Sequence, residues 1–266
     1  HHTLCNEGMK ISVVVPGAAG TYRGMRFSWA GIVSEVTWGE HHLFGPWQPG
    51  PLPLDLHDNV SGTAGEFGMG IAGMPPPLGF DEAAPGGRFV KIGVGVLRRP
   101  DTRPYRFHRA YELVEAPPWE VSADSRRVDM RQRVELDGLG YDYTHAIELV
   151  PGASAFITRH RLTNTGGKPI HQTHYSHNFV VLDRQPVGPD YEVIFPFTPG
   201  PAFGDGSDAV LQGNHLGFRR PCQKAIIAML TGFTGDAADN QFTVRNRRTG
   251  LAVALPVEPE VVVPDL

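Results

Sequence analysis

Thirty-two glycines and 24 prolines, about a fifth of the 266 residues, punctuate this chain so often that no window of a dozen residues keeps a capped helical period. The best helical stretch, Asp81-Glu82-Ala83-Ala84, runs straight into Pro85, Gly86 and Gly87. Long helices are therefore excluded, and the hydrophobic side chains have to be buried by strands. Short apolar or alternating runs recur between turn signals at 10–15, 32–38, 89–97, 109–115, 127–136, 143–149, 154–162, 171–182, 191–197, 225–233, 241–245 and 251–255. In the clearest of them Val128, Met130, Gln132, Val134 and Leu136 alternate with Asp129, Arg131, Arg133 and Glu135, the period-two signature of a strand with one buried face. Asn164-Thr165-Gly166-Gly167 and Arg247-Arg248-Thr249-Gly250 read as hairpin turns. The expectation is an all-β chain, a large antiparallel β-sandwich with under about a tenth helix and 171–182 as a central strand. With no repeat and no linker, one domain over 1–266 is expected.

Lysine and arginine number 24 against 28 acidic residues, a net charge of −4 without runs of one sign, which does not support a nucleic-acid partner. No apolar stretch approaches the roughly 20 residues of a membrane helix. Cys5 and Cys222 stand far apart and match no zinc spacing, and the adjacent His41-His42 would point to opposite sides of a strand, so neither a metal nor another cofactor is expected. His1-His2-Thr3 begins no basic-then-apolar leader, so a cytoplasmic protein is expected, with a secreted or periplasmic one, its signal already removed, as the alternative.

Most of the chemistry is concentrated in His171-Gln172-Thr173-His174-Tyr175-Ser176-His177-Asn178-Phe179. On a strand, His171, Tyr175, His177 and Phe179 share one face, while Gln172, His174, Ser176 and Asn178 share the other. An imidazole that titrates near neutrality suits general acid or base work, although each histidine can equally be a satisfied structural group. Phe179 and Val181 share the parity of His177, so that face is partly apolar and should hold the imidazole neutral. Glu66, between Gly65 and Phe67-Gly68, is a candidate ligand-facing carboxylate or a solvated loop charge; Asp81 reads as a turn residue. Arg26 and Lys91 lie among apolar neighbours, where a cation needs a partner, either a structural ion pair or a substrate group. At least two of Arg26, Glu66 and Lys91 are expected to line a concave site with His177. The loops 46–53 and 74–77, rich in proline, should cover a sheet face or rim a cleft.

Several segments together resemble the aldose 1-epimerase, or galactose mutarotase-like, superfamily. The stretch Phe156 through Ile170, followed by Ser176-His177-Asn178-Phe179-Val180-Val181-Leu182, is similar to the family's paired strands and its Asn-His-Ser-Tyr-Phe-Asn-Leu motif. Leu78-Gly79-Phe80-Asp81 resembles its Gly-Phe-Asp stretch, and Ala30-Gly31-Ile32-Val33 its early Gly-Ala segment. The resemblance spans about residues 10 to 255, and Tyr22 to Trp29 with Lys91 to Leu97 look closer to an uncharacterised branch. It implies acid/base proton transfer at the anomeric centre of a sugar, with His177 as the acid. The catalytic base would be a glutamate near the C-terminus, Glu258 ahead of Glu260, with Glu66 in reserve. Arg26, Glu66, Lys91, His174 and Tyr175 would bind the sugar or oligosaccharide. Departures are clear: Gly65-Glu66 stands where mutarotases carry Gly-Arg, and Met74-Pro75-Pro76-Pro77 where they carry Leu-His-Gly-Gly. Two extra residues between Pro169 and His177 leave Tyr175 as the alternative occupant of the key position. A non-catalytic carbohydrate-binding protein is the second reading. A third is a uronate lyase with Tyr175 or His177 as base and Arg26 or Lys91 neutralising the carboxylate.

Overall fold

A computed structural model describes residues 1–46, 50–71, 73–200, 208–223, 225–227 and 230–256. Strands hold 44% of the residues and helix 1%, so the chain is all-β with antiparallel sheets. The fold divides into two compact units, residues 1–179 and 180–266.

The first unit contains thirteen strands among the described residues: β1 (His2–Cys5), β2 (Met9–Val13), β3 (Val33–Trp38), β4 (His41–His42), β5 (Gly62–Phe67), β6 (Arg88–Lys91), β7 (Gly95–Arg98), β8 (Glu112–Glu115), β9 (Trp119–Ala123), β10 (Arg127–Leu136), β11 (Leu139–Leu149), β12 (Phe156–Asn164) and β13 (His174–Phe179). They form a sheet ordered β1-β2-β3-β5-β13 with β4 beside β3, a four-stranded sheet β12-β11-β10-β9 and a three-stranded sheet β6-β7-β8. The sheets pack as a sandwich through one cluster, in which Phe67 of β5 meets Val90 and Val96 of the small sheet and Val134, Tyr141 and Tyr143 of the four-stranded one. Burying each large side chain contributes about 1.5–3 kcal/mol. Tyr141 and Gln132 pair their polar atoms inside the sandwich: the Tyr141 hydroxyl donates to Gln132 Oε1 (2.6 Å) and accepts from Gly93 N (3.3 Å), and Gln132 Nε2 donates to Pro117 O (3.1 Å).

Three expectations change. The run 89–97 is a hairpin, β6 to β7, because Gly93 adopts a left-handed φ of 80° and turns the chain. Residues 171–182 give only the six-residue β13, at the end of its sheet instead of the centre, because it pairs with β5 alone. Asn164–Gly167 joins no hairpin, since β12 and β13 belong to different sheets. The tight two-residue turn is Asp137-Gly138, with φ of 49° and 85°, linking β10 to β11.

The second unit holds β14 (Tyr191–Ile194), β15 (Ala209–Gln212), β16 (His215–Phe218), β17 (Gln241–Asn246) and β18 (Ala252–Pro256) in one sheet ordered β15-β16-β14-β17-β18. Arg247–Gly250 does turn the hairpin β17 to β18, with Gly250 at a φ of 77°. Among the described residues of 225–233 no strand forms beyond a single bridge from Thr231 to Gly200. Both cysteines are free. Among the described residues no helix is long and apolar enough to cross a membrane.

Candidate functional site

The two faces of the β5/β13 pair carry different chemistry. Their register sets Tyr175 opposite Glu66 and His177 opposite Ala64 on one face, with His174 opposite Phe67 on the other. As the sequence parity requires, His174 and His177 look in opposite directions.

The Glu66 face is covered by the segment 22–30. Its backbone is stitched down by Ser28 N donating to Gly65 O (2.8 Å), Trp29 N to Gly93 O (2.9 Å) and Arg23 N to Leu54 O (2.8 Å). Gly24 is needed there, since a Cβ would lie 2.2 Å from the Tyr22 hydroxyl. This path drives Arg26 inward. Its Nε donates to Glu66 Oε2 (2.9 Å) and its Nη1 to Asp58 Oδ1, and its guanidinium lies between the rings of Phe27 and Phe107, 4.6 and 4.1 Å from their centres. Lys91, at the end of β6, sends Nζ to Glu66 Oε1 (3.3 Å), Phe67 O (2.6 Å) and Gly68 O (3.3 Å). Glu66 is wholly buried, Lys91 is 1% exposed and Arg26 8%.

Charges therefore alternate Lys91, Glu66, Arg26, Asp58, which is how four ions survive burial. Burial pulls Lys91 down to about 8 against the opposing pull of Glu66. Arg26 is also desolvated, but Glu66 and Asp58 raise it overall. Arg26, Glu66 and Lys91 do come together, as an ion-paired cluster. Glu66 is no loop carboxylate: it lies within β5, and both its oxygens are engaged by cations.

Tyr175, 36% exposed, and the half-buried His177 border this cluster. The His177 ring stacks on Phe179 (3.8 Å, 16°), meets the edge of Phe27 (6.0 Å, 84°) and stands perpendicular to Tyr175 (5.7 Å, 90°). Burial, followed by the positive charge of Arg26, depresses His177 to about 4, with Asp58 opposing. It is neutral at pH 7, in the direction its apolar neighbours imply. Burial likewise raises the Tyr175 phenol.

Sequence reasoning missed His57 and Asp58. Asp58 Oδ2 lies 3.1 Å from His57 Nε2 while its other oxygen holds Arg26, and the His57 ring packs 5.9 Å from Phe107. The available signal was the need of Arg26 for anions together with an adjacent His-Asp pair in a turn-rich loop.

On the opposite face His174 joins His160 and His145 in a stack, with ring centres 4.4 and 4.0 Å apart, and packs 4.6 Å from Phe67. The Tyr143 hydroxyl lies 2.8 Å from His160 Nδ1, and His145 Nδ1 lies 3.2 Å from Ala30 O. Burial lowers His145 and His174 to about 4; it also lowers His160, with help from its two neighbours, although water reaches His160 and His174 and tempers the effect. His174 thus stands with structural partners, apart from Tyr175 and His177.

Glu258 and Glu260 lie outside the described residues. Asp81 is an exposed turn residue whose carbonyl accepts from Arg99 (3.3 Å). Among the described residues no group of three or more His, Cys, Asp or Glu could hold a metal ion. A depression of about 370 Å³ lined by Arg131, Asp142, Thr144 and Arg161 opens on the solvent face of the four-stranded sheet, away from the histidine stack. Compared with family models, curated proteins and solved structures, the chain matches none.

Proposed function

We propose that the β5/β13 face bearing Tyr175 and His177 acts on a sugar by acid/base proton transfer at the anomeric centre, as an aldose 1-epimerase-like enzyme. The observation that carries this reading is a neutral, half-buried imidazole, His177, bordered by aromatic rings and set beside the Arg26–Asp58 pair. Opening a pyranose requires the O1 proton to leave and the ring oxygen to gain one, so a positioned imidazole and a second group suffice. Because His177 starts neutral, it acts first as the acceptor of the O1 proton and returns it on ring closure, the reverse of the acid role the family resemblance implies. Exposed aromatic surface such as Tyr175 supports stacking against a sugar ring.

The lyase alternative loses support. Its neutralising cations, Arg26 and Lys91, are already engaged by Glu66 and Asp58. The binding-protein alternative is separated by experiment. Polarimetry of freshly dissolved α-anomers from a panel of common aldohexoses and aldopentoses should give faster mutarotation with the protein than with buffer. His177→Ala should lower that acceleration on the order of a hundredfold or more. Sugar binding by saturation-transfer NMR without any acceleration would favour the binding protein.

A further inference from the structure

Independently of the sugar reading, we infer that the outer edge of β12 is a docking strand for an extended acidic segment of another protein, which adds beside β12 and sets a carboxylate against Arg161. β12 ends the four-stranded sheet and pairs with β11 alone. Around the two ends of that ladder Thr165 N donates to Gly140 O (3.1 Å) and Val150 N to Ala155 O (2.9 Å). Antiparallel bonding pairs recur at every second residue, so Asp142 with Thr163, Thr144 with Arg161, Ala146 with Arg159 and Glu148 with Ile157 exchange the bonds between them. The N–H and C=O groups of Thr158, His160 and Leu162 point the other way, and among the described residues no hydrogen bond takes them up. Ile157, Arg159, His160, Arg161 and Asn164 are exposed, so this edge is open to water.

An uncovered edge is a template for strand addition, and its side chains decide what is added. Arg159 and Arg161 share the solvent face, and β12 contains no acidic residue. Arg131 and Arg133 are held by Asp142 and Arg159 by Glu148, whereas Arg161 has no ion pair among the described residues. It rims the depression of about 370 Å³, where Thr144 and Thr163 add hydroxyl groups and Asp142 is already neutralised by its two arginines. A side chain opposite Arg161 on an added strand would have its Cβ about 5 Å away, so an aspartate or glutamate there reaches the guanidinium.

On the inner face His160 in the histidine stack and Leu162 against the core of Tyr141 and Tyr143 hold β12 in place before a partner arrives, which lowers the ordering cost of docking. A second copy of the chain is the poorer occupant. Antiparallel pairing of β12 with itself, centred on residue 159, 160 or 161, sets arginine against arginine.

Three synthetic probes, titrated into the whole protein, test this: a peptide of alternating glutamate and valine, its lysine–valine counterpart, and the glutamate peptide N-methylated throughout. Backbone NMR should show the glutamate peptide binding, with hydrogen exchange of the Thr158, His160 and Leu162 amides slowed on the order of tenfold or more. The N-methylated peptide keeps the charge but cannot donate to the ladder, and should not protect them. Arg161→Glu, a change at an exposed position, should weaken the glutamate peptide on the order of tenfold or more and admit the lysine peptide, with Arg161→Gln in between. Equal binding of the two charge types, equal protection by the N-methylated peptide, or no binding at all overturns the inference. So does slowed exchange of the three amides on raising the protein concentration alone, which would make β12 an interface between copies. Each of these outcomes leaves the proposed function standing.

Discussion

At the scale of single residues, Lys91 carries the clearest energetic consequence. All three of its protons are donated inside the protein, to Glu66, Phe67 O and Gly68 O. Replacing it with methionine fills similar volume but leaves those carbonyls unbonded and Glu66 with Arg26 as its one cation among the described residues. Lys91→Met should therefore cost about 3–5 kcal/mol in urea unfolding, the usual penalty for breaking a buried pair from one side. A loss below about 1 kcal/mol would mean that water or rearrangement satisfies Glu66. The separation of His174 from His177 is legible in the sequence, because a strand's period of two admits no other arrangement. The partners of Arg26 are not, since Asp58 and Glu66 stand 32 and 40 positions away and only the folded chain brings them close.

Among elements, legibility follows burial. β10 alternates because one face is wet, and its limits agree with its pattern. β5 escapes because Gly-Thr-Ala-Gly-Glu-Phe is buried on both faces, so it shows no alternation, and its two glycines resemble a loop. The run 171–182, expected as a central strand, gives β13 at the end of its sheet, because pairing order depends on non-local contacts. The β10–β11 turn makes its own prediction. Gly138 has room for a Cβ, with Lys168 no nearer than 3.5 Å, but its φ is 85°. Gly138→Ala should then cost about 1–2 kcal/mol from backbone strain alone, while Asp137→Asn, which tolerates that region, should be neutral. Equal midpoints in denaturant for Gly138→Ala and the unmodified protein would contradict the turn assignment.

For the whole molecule, the histidine stack ties the two large sheets of the first unit together, since His145 and His160 come from the four-stranded sheet and His174 from β13. His145 is fully buried and depressed to about 4 from 6.5, so between those values the unfolded chain binds the extra proton. Its contribution is complete above about pH 6.5 and falls as the pH drops towards 4, a loss of about 2 kcal/mol between pH 7 and pH 5. His145→Gln, if it folds, should flatten that part of the stability profile; an unchanged profile would place the acid sensitivity elsewhere. The histidine stack thus has structural partners on one face of β13, and the proposed chemistry lies on the other. The most direct measurement is anomeric exchange by NMR, comparing His177→Ala with His174→Ala, each first confirmed as folded, on an aldose that the protein converts. The account predicts that exchange collapses by about a hundredfold or more in His177→Ala and changes little in His174→Ala. Collapse in His174→Ala with exchange preserved in His177→Ala would contradict it, placing the reaction on the other side of the sheet.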